Sequence, residues 1–322
     1  QMDYNVWAQF GNSGWGYADV LPYFKRTERR LGAGDDRYRG REGEFVVEDL
    51  RWQHPLLDAF IAGAVSMGIP ENKDYNGPRQ EGVARAQRSI HRGRRMSPAR
   101  AFLHPAMRRN NVDVRTNALV DHILFDNKRA TGVRYLKGGA THEIHARKEV
   151  ILCGGSFNSP QLLQRSGIGA PELLNDLGVP VVHALPGVGA NLRDHFAMRV
   201  SARVKGISTI NERARGLRLA GEVLKYFTGQ RSILELQPTL IYCFWKSNEA
   251  LDRSDIQITF TPASYQEGVQ AQLDSSPGMT CAVWQQRPES TGFVKARSRN
   301  PQDAPLIQPN YLAHEMDQQV IL

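Results

Sequence analysis

EVILCGGSFNSPQLLQRSGIG, residues 149–169, is the stretch that says most about the fold. Its unbroken apolar start, 149–153, predicts a strand buried on both faces. Two glycines follow, and residues 159–165 predict a helix that stops at Gly167. Glycines let a backbone approach a ligand, and free N–H groups at a helix start favour anions such as a pyrophosphate. The same turn is also a common packing device in α/β proteins, so both interpretations stay open.

The dinucleotide fingerprint GxGxxG, which requires a strand before it and a long helix after it, is absent from this sequence. Residues 11–16 (GNSGWG) have the wrong spacing, and residues 167–172 (GIGAPE) and 187–192 (GVGANL) lack the third glycine.

Periodicity predicts mixed helices and strands on both sides of this stretch. Predicted helices cover residues 17–26, 54–68, 98–108, 170–177, 211–229 and 313–322. Predicted strands lie within residues 112–125, 132–136, 141–146, 179–183, 198–204, 255–260, 279–285 and 292–296. Residues 69–97 read as a polar, turn-rich and basic segment. Ser97 is expected to cap the helix that follows it.

Composition sets limits on the class of protein. The chain has 322 residues, 41% hydrophobic and 23% charged, which is ordinary globular composition and suggests two domains or one large one. No stretch is long and apolar enough for a membrane span. Three widely spaced cysteines favour a reducing compartment such as the cytoplasm and argue against a disulfide framework and a structural zinc site. The net charge of +8 raises the question of an anionic partner.

Residues 155–169 resemble, position for position, the second signature of the glucose–methanol–choline (GMC) flavoprotein oxidoreductases. Further motifs are similar to this family in the same order along the chain. Residues 14–24 resemble its lid and interface region, and residues 185–195 the loop after the signature. Residues 287–292 and 309–312 resemble the end of its substrate domain.

The resemblance implies the fold class: a partial α/β FAD-binding domain interleaved with an α+β substrate domain built on an antiparallel sheet. It implies a lid or interface segment at residues 1–35 and substrate-domain parts at 36–108 and 201–312. The FAD-binding portion would be residues 109–200, and residues 313–322 would begin a C-terminal FAD-domain segment. Both the fingerprint and the catalytic segment of the family are expected outside this chain.

The implied function is FAD-dependent oxidation of a small-molecule alcohol to an aldehyde, by hydride transfer to flavin N5. The resemblance favours a choline-dehydrogenase-like dehydrogenase over an oxidase. The hydroxyl proton would go to a histidine beyond Leu322, so no catalytic residue is assigned and the chain alone is expected to be inactive. The same fold also hosts a flavin photodecarboxylase, and fold does not settle chemistry.

Cofactor contacts are carried over from the family at three positions. Val120 matches a strand residue whose backbone meets the adenine edge of FAD, and Gly154 and Gly155 match positions near its ribose and pyrophosphate. The residues by themselves show only a β-branched strand residue and two glycines. No metal site is expected.

Nine histidines are present, and alcohol oxidation requires a base. His195 stands beside Asp194, but the resemblance places it in a structural loop. The remaining candidates are expected in strands or polar turns, without a carboxylate partner at fixed spacing: His91, His104, His122, His142, His145 and His183. Ser156 is expected to cap a helix rather than act as a nucleophile.

An arginine-rich stretch, residues 85–109, supports an alternative from another class, a non-catalytic nucleic-acid-binding protein. The stretch lacks interleaved aromatic residues, so a solvated face is the preferred interpretation and no nucleic-acid partner is expected. A separate group of aromatic residues lines either a substrate cavity or the core: Tyr242, Phe244, Trp245 and Trp284.

Overall fold

Helices and strands alternate irregularly along residues 1–266 and 272–322, the residues that the computed structural model describes. The α-helices are α1 (Met2–Gln9), α2 (Tyr17–Thr27), α3 (Pro55–Ser66), α4 (His104–Ala106), α5 (Gly155–Arg165), α6 (Pro171–Asp176), α7 (Ile210–Arg213), α8 (Gly216–Phe227) and α9 (Glu315–Ile321). A π-helical turn, Ala99–Leu103, precedes α4, and a 3-10 turn, Ile233–Glu235, follows α8.

The strands up to α5 are β1 (Glu28–Arg30), β2 (Phe45–Asp49), β3 (Gly82–Arg85), β4 (Gln87–Arg88), β5 (Ile90–His91), β6 (Arg94–Arg95), β7 (Leu119–Asp126), β8 (Arg129–Lys137) and β9 (Ala140–His145). The later strands are β10 (Ile168–Gly169), β11 (His183–Ala184), β12 (Ala190–Leu192), β13 (Ala197–Arg203), β14 (Ile241–Trp245), β15 (Ile256–Thr261), β16 (Gly278–Gln285), β17 (Gly292–Lys295) and β18 (Leu306–Gln308).

The chain divides into two units. Unit 1 is formed by Gln1–Val112 with Ala197–Gln286, and unit 2 by Asp113–Phe196 with Arg287–Leu322. None of the helices in the described residues has the length and apolar composition needed to cross a bilayer. The domain division expected from the sequence stays a prediction.

Unit 1 is built on a five-stranded sheet of order β13-β16-β15-β14-β3, in which every pair is antiparallel. Helix α3 covers one face, and its Leu57 is fully buried. The rings of Phe60 and Phe260 stack with centroids 4.6 Å apart across this contact. Alternating apolar residues of β14 complete the core, because successive side chains of a strand point to opposite faces.

A smaller sheet of unit 1 pairs β1, β2 and β4, and a short hairpin joins β5 to β6. This hairpin turns at Arg92 and Gly93, both with positive φ. Strands β3 to β6 occupy residues that the sequence predicts to be turn-rich, so that prediction is wrong for most of 82–95. Polar and basic side chains on short edge strands hide the period-two pattern.

Unit 2 contains a three-stranded meander, β7-β8-β9, and a second sheet of order β12-β17-β18. Helix α5 contacts both β7 and β17. The predicted strands at 132–136 and 141–146 and the predicted helices around α5 and α6 are confirmed. A pair of short parallel strands, β10 and β11, lies between α5 and the second sheet in sequence.

The strand predicted at residues 149–153 is not formed. The segment has no regular structure, and Ile151 is 73% exposed. A strand needs a neighbour for its backbone N–H and C=O groups, and no described strand pairs with this segment. Ile151 is therefore exposed at the entry to α5, whereas Val150 and Leu152 are partly buried.

Candidate functional site

The start of α5 has an open approach to its backbone. Gly155 has φ +76°, and a Cβ placed on it would meet no atom within 4 Å. The preceding Gly154 amide donates to Ser159 Oγ at 3.1 Å, which fixes the turn. Both glycines are exposed. The first N–H groups of a helix have no intrahelical acceptor and lie at the positive end of its dipole, so this turn fits a phosphate group.

Ser156 lies within the first turn of α5, not at its N-cap, where Gly154 stands. This N-cap, whose residues the structure describes, has no side-chain cap hydrogen bond, so the expectation that Ser156 caps the helix is wrong. By contrast, Ser97 accepts a hydrogen bond from the Arg100 amide at 3.2 Å, as the sequence predicts for the helical turn after it.

Val120 lies in β7, opposite Tyr135 of β8, and is partly buried. Its carbonyl accepts a hydrogen bond from Arg165 Nη2 at 3.0 Å. Arg165 ends α5, whereas Gly155 begins it, so the two positions are separated by the length of this helix, about 15 Å. The structure therefore places Val120 and the glycine pair at opposite ends of α5.

Arg165 is a polar residue beside Val120 that the sequence analysis did not single out. Burial lowers the pKa of its guanidinium, and the charge of Asp121 opposes that effect. Among the described residues, its buried Nε and Nη1 atoms have no hydrogen-bond partner. Buried, unpaired donors beside the Val120 backbone fit a polar or anionic ligand at this end of α5.

Two histidines have carboxylate partners that the sequence analysis did not foresee. His122 Nδ1 lies 2.9 Å from Asp121 Oδ2, and His91 Nδ1 lies 3.4 Å from Glu48 Oε1. The expectation that they lack such partners is therefore wrong. The first pair is adjacent in sequence, and the second forms between neighbouring strands, a contact that only the fold creates.

His195 is exposed in the segment that follows β12. The adjacent Asp194 accepts a hydrogen bond from the Tyr311 hydroxyl, and this bond raises the pKa of Tyr311. Nearby, Arg193 donates to the Pro288 carbonyl and pairs with Glu289 at 3.2 Å. Residues 185–195, 287–292 and 309–312, which are far apart in sequence, thus meet in unit 2.

Aromatic side chains of unit 1 separate onto two faces of the large sheet. Phe244 is opposite Gln257, which is opposite Trp284, so these three share a face that also carries Tyr242. Trp245 lies on the other face and packs against the hydrophobic core. Tyr75 packs edge-on against Tyr242 at 5.6 Å, and burial raises the pKa of both hydroxyls. Of the four aromatic candidates, Trp245 is therefore core.

The arginines of residues 85–109 are spread over separate elements. Arg85 in β3 pairs with Asp58, and the buried Arg88 in β4 pairs with Glu235 at 3.8 Å. Others stand on the β5–β6 hairpin or after α4. No group of three or more His, Cys, Asp or Glu among the described residues is placed to hold a metal ion.

Residues 1–197 match the family model described as GMC oxidoreductase. The chain is 40% identical to the mitochondrial choline dehydrogenase of Homo sapiens over 319 aligned residues. The alignment covers 98% of this chain and 53% of the human protein. It is 36% identical to the oxygen-dependent choline dehydrogenase of Brucella anthropi, over 98% of this chain and 57% of that protein. The chain therefore spans about half the length of the curated relatives it matches.

Solved structures match nearly the whole chain. A formate oxidase superposes with a TM-score of 0.89 at 19% identity, covering 99% of this chain and 61% of the other. A pyridoxine 4-oxidase from Mesorbium loti superposes with a TM-score of 0.83 at 24% identity. The superposition covers 99% of this chain and 59% of the oxidase chain. These likenesses confirm the expected fold class.

Proposed function

Because this chain belongs to the GMC oxidoreductase family, we propose that the protein it forms or contributes to is an FAD-dependent alcohol dehydrogenase. The observation that supports it most is the open, left-handed Gly155 at the start of an exposed helix. When bound, FAD supplies the chemistry of this class, acceptance of a hydride from the carbinol carbon.

The cofactor is proposed to lie against α5 and the adjoining strand β7. The amides that open α5, at Gly155 and Ser156, would bind the pyrophosphate, and Gly154 would keep the turn close to it. The backbone of Val120 would contact the adenine edge. The unpaired donors of Arg165 would then find an acceptor on the same ligand. No catalytic residue is assigned within the chain.

The proposed substrate is a small alcohol of the choline type. Choline dehydrogenases are among the relatives of this chain. The sheet face that carries Tyr242, Phe244 and Trp284 offers aromatic rings, which attract a quaternary ammonium through cation–π interaction. We also propose a reducing compartment such as the cytoplasm, in keeping with cysteines that are free of disulfides.

Two glycine variants test the cofactor site. Gly155→Val adds a branched side chain at the proposed pyrophosphate contact. Gly139→Val is the matched control, because Gly139 also has a positive φ and open space around it, but lies in the β8–β9 turn. Both variants should lose a similar amount of stability, about 1–2 kcal/mol.

Affinity for FAD, measured by fluorescence titration of the purified protein, should fall about tenfold or more in Gly155→Val. It should change less than about twofold in Gly139→Val. Equal affinities for FAD in the two variants, or a protein that binds no FAD, would contradict the proposed function.

A further inference from the structure

Helix α8, Gly216–Phe227, has its apolar face turned outward. Leu217 is 93% exposed, Leu224 66% and Phe227 80%, whereas Glu222 is only 4% exposed. At 100° per residue these three apolar positions fall on one side of the helix. Ala220 and Gly221 are also exposed and lie between them. We call Leu217, Ala220, Leu224 and Phe227 the apolar stripe.

The outward orientation is held by hydrogen bonds on the inner side of the helix. Glu222 accepts from the Ile233 amide at 3.0 Å, and its carbonyl accepts from Ser232 Oγ at 2.8 Å. Lys225 Nζ also donates to Glu222 at 2.9 Å. If the helix rotated to bring Glu222 to the surface, the bonds from Ile233 and Ser232, which lie outside the helix, would be lost. The apolar stripe is therefore a fixed feature of the folded helix.

Cations lie along one flank of the apolar stripe and at its C-terminal end, and those on α8 are ion-paired, Arg218 with Glu212 at 3.4 Å and Lys225 with Glu222 at 2.9 Å. Arg218 and Lys225 are 64% and 45% exposed on α8 itself. At the C-terminal end of the helix, the Tyr226 hydroxyl donates to the Gly93 carbonyl at 3.2 Å, which attaches the β5–β6 hairpin. This hairpin presents three exposed arginines that have no ion-pair partner within residues 1–266 and 272–322: Arg92, Arg94 and Arg95.

A cavity of about 610 Å³ opens between the helix end and the hairpin. Phe227 lines it together with Arg92, Arg94 and Arg231. Two carboxylates also line it, Glu48 and Glu235, and these pair with His91 and Arg88. An apolar residue of the stripe and several guanidinium groups thus face the same space. That combination suits a ligand with a phosphate group and an apolar part.

We propose that α8 and the β5–β6 hairpin form a surface that binds membranes containing anionic phospholipid. The apolar stripe would enter the boundary between headgroups and acyl chains, and the arginines would contact lipid phosphates. A side chain that is 93% exposed protrudes, which suits insertion between lipids. Pairing with a second copy would instead bring the two sets of cations together, which is unfavourable. This surface is independent of the proposed FAD site.

Vesicle sedimentation tests the apolar stripe. The full chain should bind vesicles of phosphatidylcholine mixed with phosphatidylglycerol, and bind pure phosphatidylcholine about tenfold more weakly. Leu224→Glu and Phe227→Glu should each reduce binding about tenfold. Met67→Glu is the matched control, because Met67 is 80% exposed at the end of α3, away from the stripe, and it should bind as the unchanged chain does.

A second pair of variants tests the charges. Arg92→Gln with Arg94→Gln should weaken binding to the mixed vesicles and reduce its dependence on salt. Arg108→Gln with Arg109→Gln, which removes the same charge from exposed positions after α4, should leave binding unchanged.

Three results would overturn the proposal. The first is equal binding of the unchanged chain to both kinds of vesicle. The second is an equal loss of vesicle binding in a stripe or hairpin variant and in its matched control. The third is a change of molecular mass in solution on Leu224→Glu without vesicles, which would identify the stripe as a contact between copies. Circular dichroism of each variant separates these results from unfolding.

Discussion

Gln164 is the buried residue that connects the signature helix to the rest of unit 2. It is fully buried, and its Nε2 donates to the carbonyls of Val188 and Val294 at 3.1 and 3.0 Å. Its Oε1 accepts from the Ala296 amide at 2.7 Å. One side chain thus satisfies three backbone groups that lie between elements, where no ladder partner is available.

The first prediction concerns this residue. Gln164→Leu should destabilise the chain by about 3 kcal/mol or more, because three buried backbone groups lose a partner. The free energy of unfolding in urea measures this change. Gln302→Leu, at an exposed position, is the control and should change stability by less than about 0.5 kcal/mol. A loss in Gln164→Leu no larger than in the control would contradict the assigned role.

At the scale of single elements, α8 shows how a charge determines the orientation of a helix. Burial alone would raise the pKa of Glu222, but hydrogen bonds from Lys225 and from the Ile233 amide lower it below its ordinary value of 4.5. The carboxylate therefore stabilises the folded chain at neutral pH. That contribution is lost as the pH falls through the lowered pKa.

The second prediction follows from this pKa. At pH 7, Glu222→Gln should be less stable than the unchanged chain, and the difference should shrink as the pH falls from about 5 to about 3. Urea unfolding at a series of pH values measures it. Glu249→Gln, at an exposed position, serves as the control. A stability difference that stays constant over this pH range would show that the charge of Glu222 does not contribute.

The segment 149–153 illustrates the limit of reading elements from sequence. Its apolar run is typical of a buried strand, yet it has no regular structure, and its Ile151 is 73% exposed. Strand formation depends on a neighbouring strand, and a local pattern carries no information about whether one is present. The helix that follows depends on contacts within its own turns, and its prediction is confirmed.

On the scale of the whole molecule, the chain passes between its two units at residues 112–113, 196–197 and 286–287. Each unit has buried apolar residues of its own, such as Leu57 in α3 and Leu174 in α6, both fully buried.

The third prediction concerns these two leucines. Leu57→Ala and Leu174→Ala should each cost about 2–5 kcal/mol of local stability.

Hydrogen exchange measured by mass spectrometry shows where in the chain each leucine variant loses stability. Leu57→Ala should speed exchange mainly in β3, β14 and β15, and Leu174→Ala mainly in α5 and around β10. Equal acceleration of exchange throughout the chain in both variants would show that the two units do not unfold separately.

The sequence by itself determined the order of most helices and strands, the second signature of the family and, through its motifs, the class of fold. These features depend on residues close together in the chain. Only the tertiary structure decided that Val120 and Gly155 lie at opposite ends of α5, that Arg165 adjoins Val120, and that residues 185–195 meet 309–312. The same holds for the exposed apolar stripe of α8, because which side of an amphipathic helix faces solvent depends on the hydrogen bonds of Glu222 with residues beyond the helix.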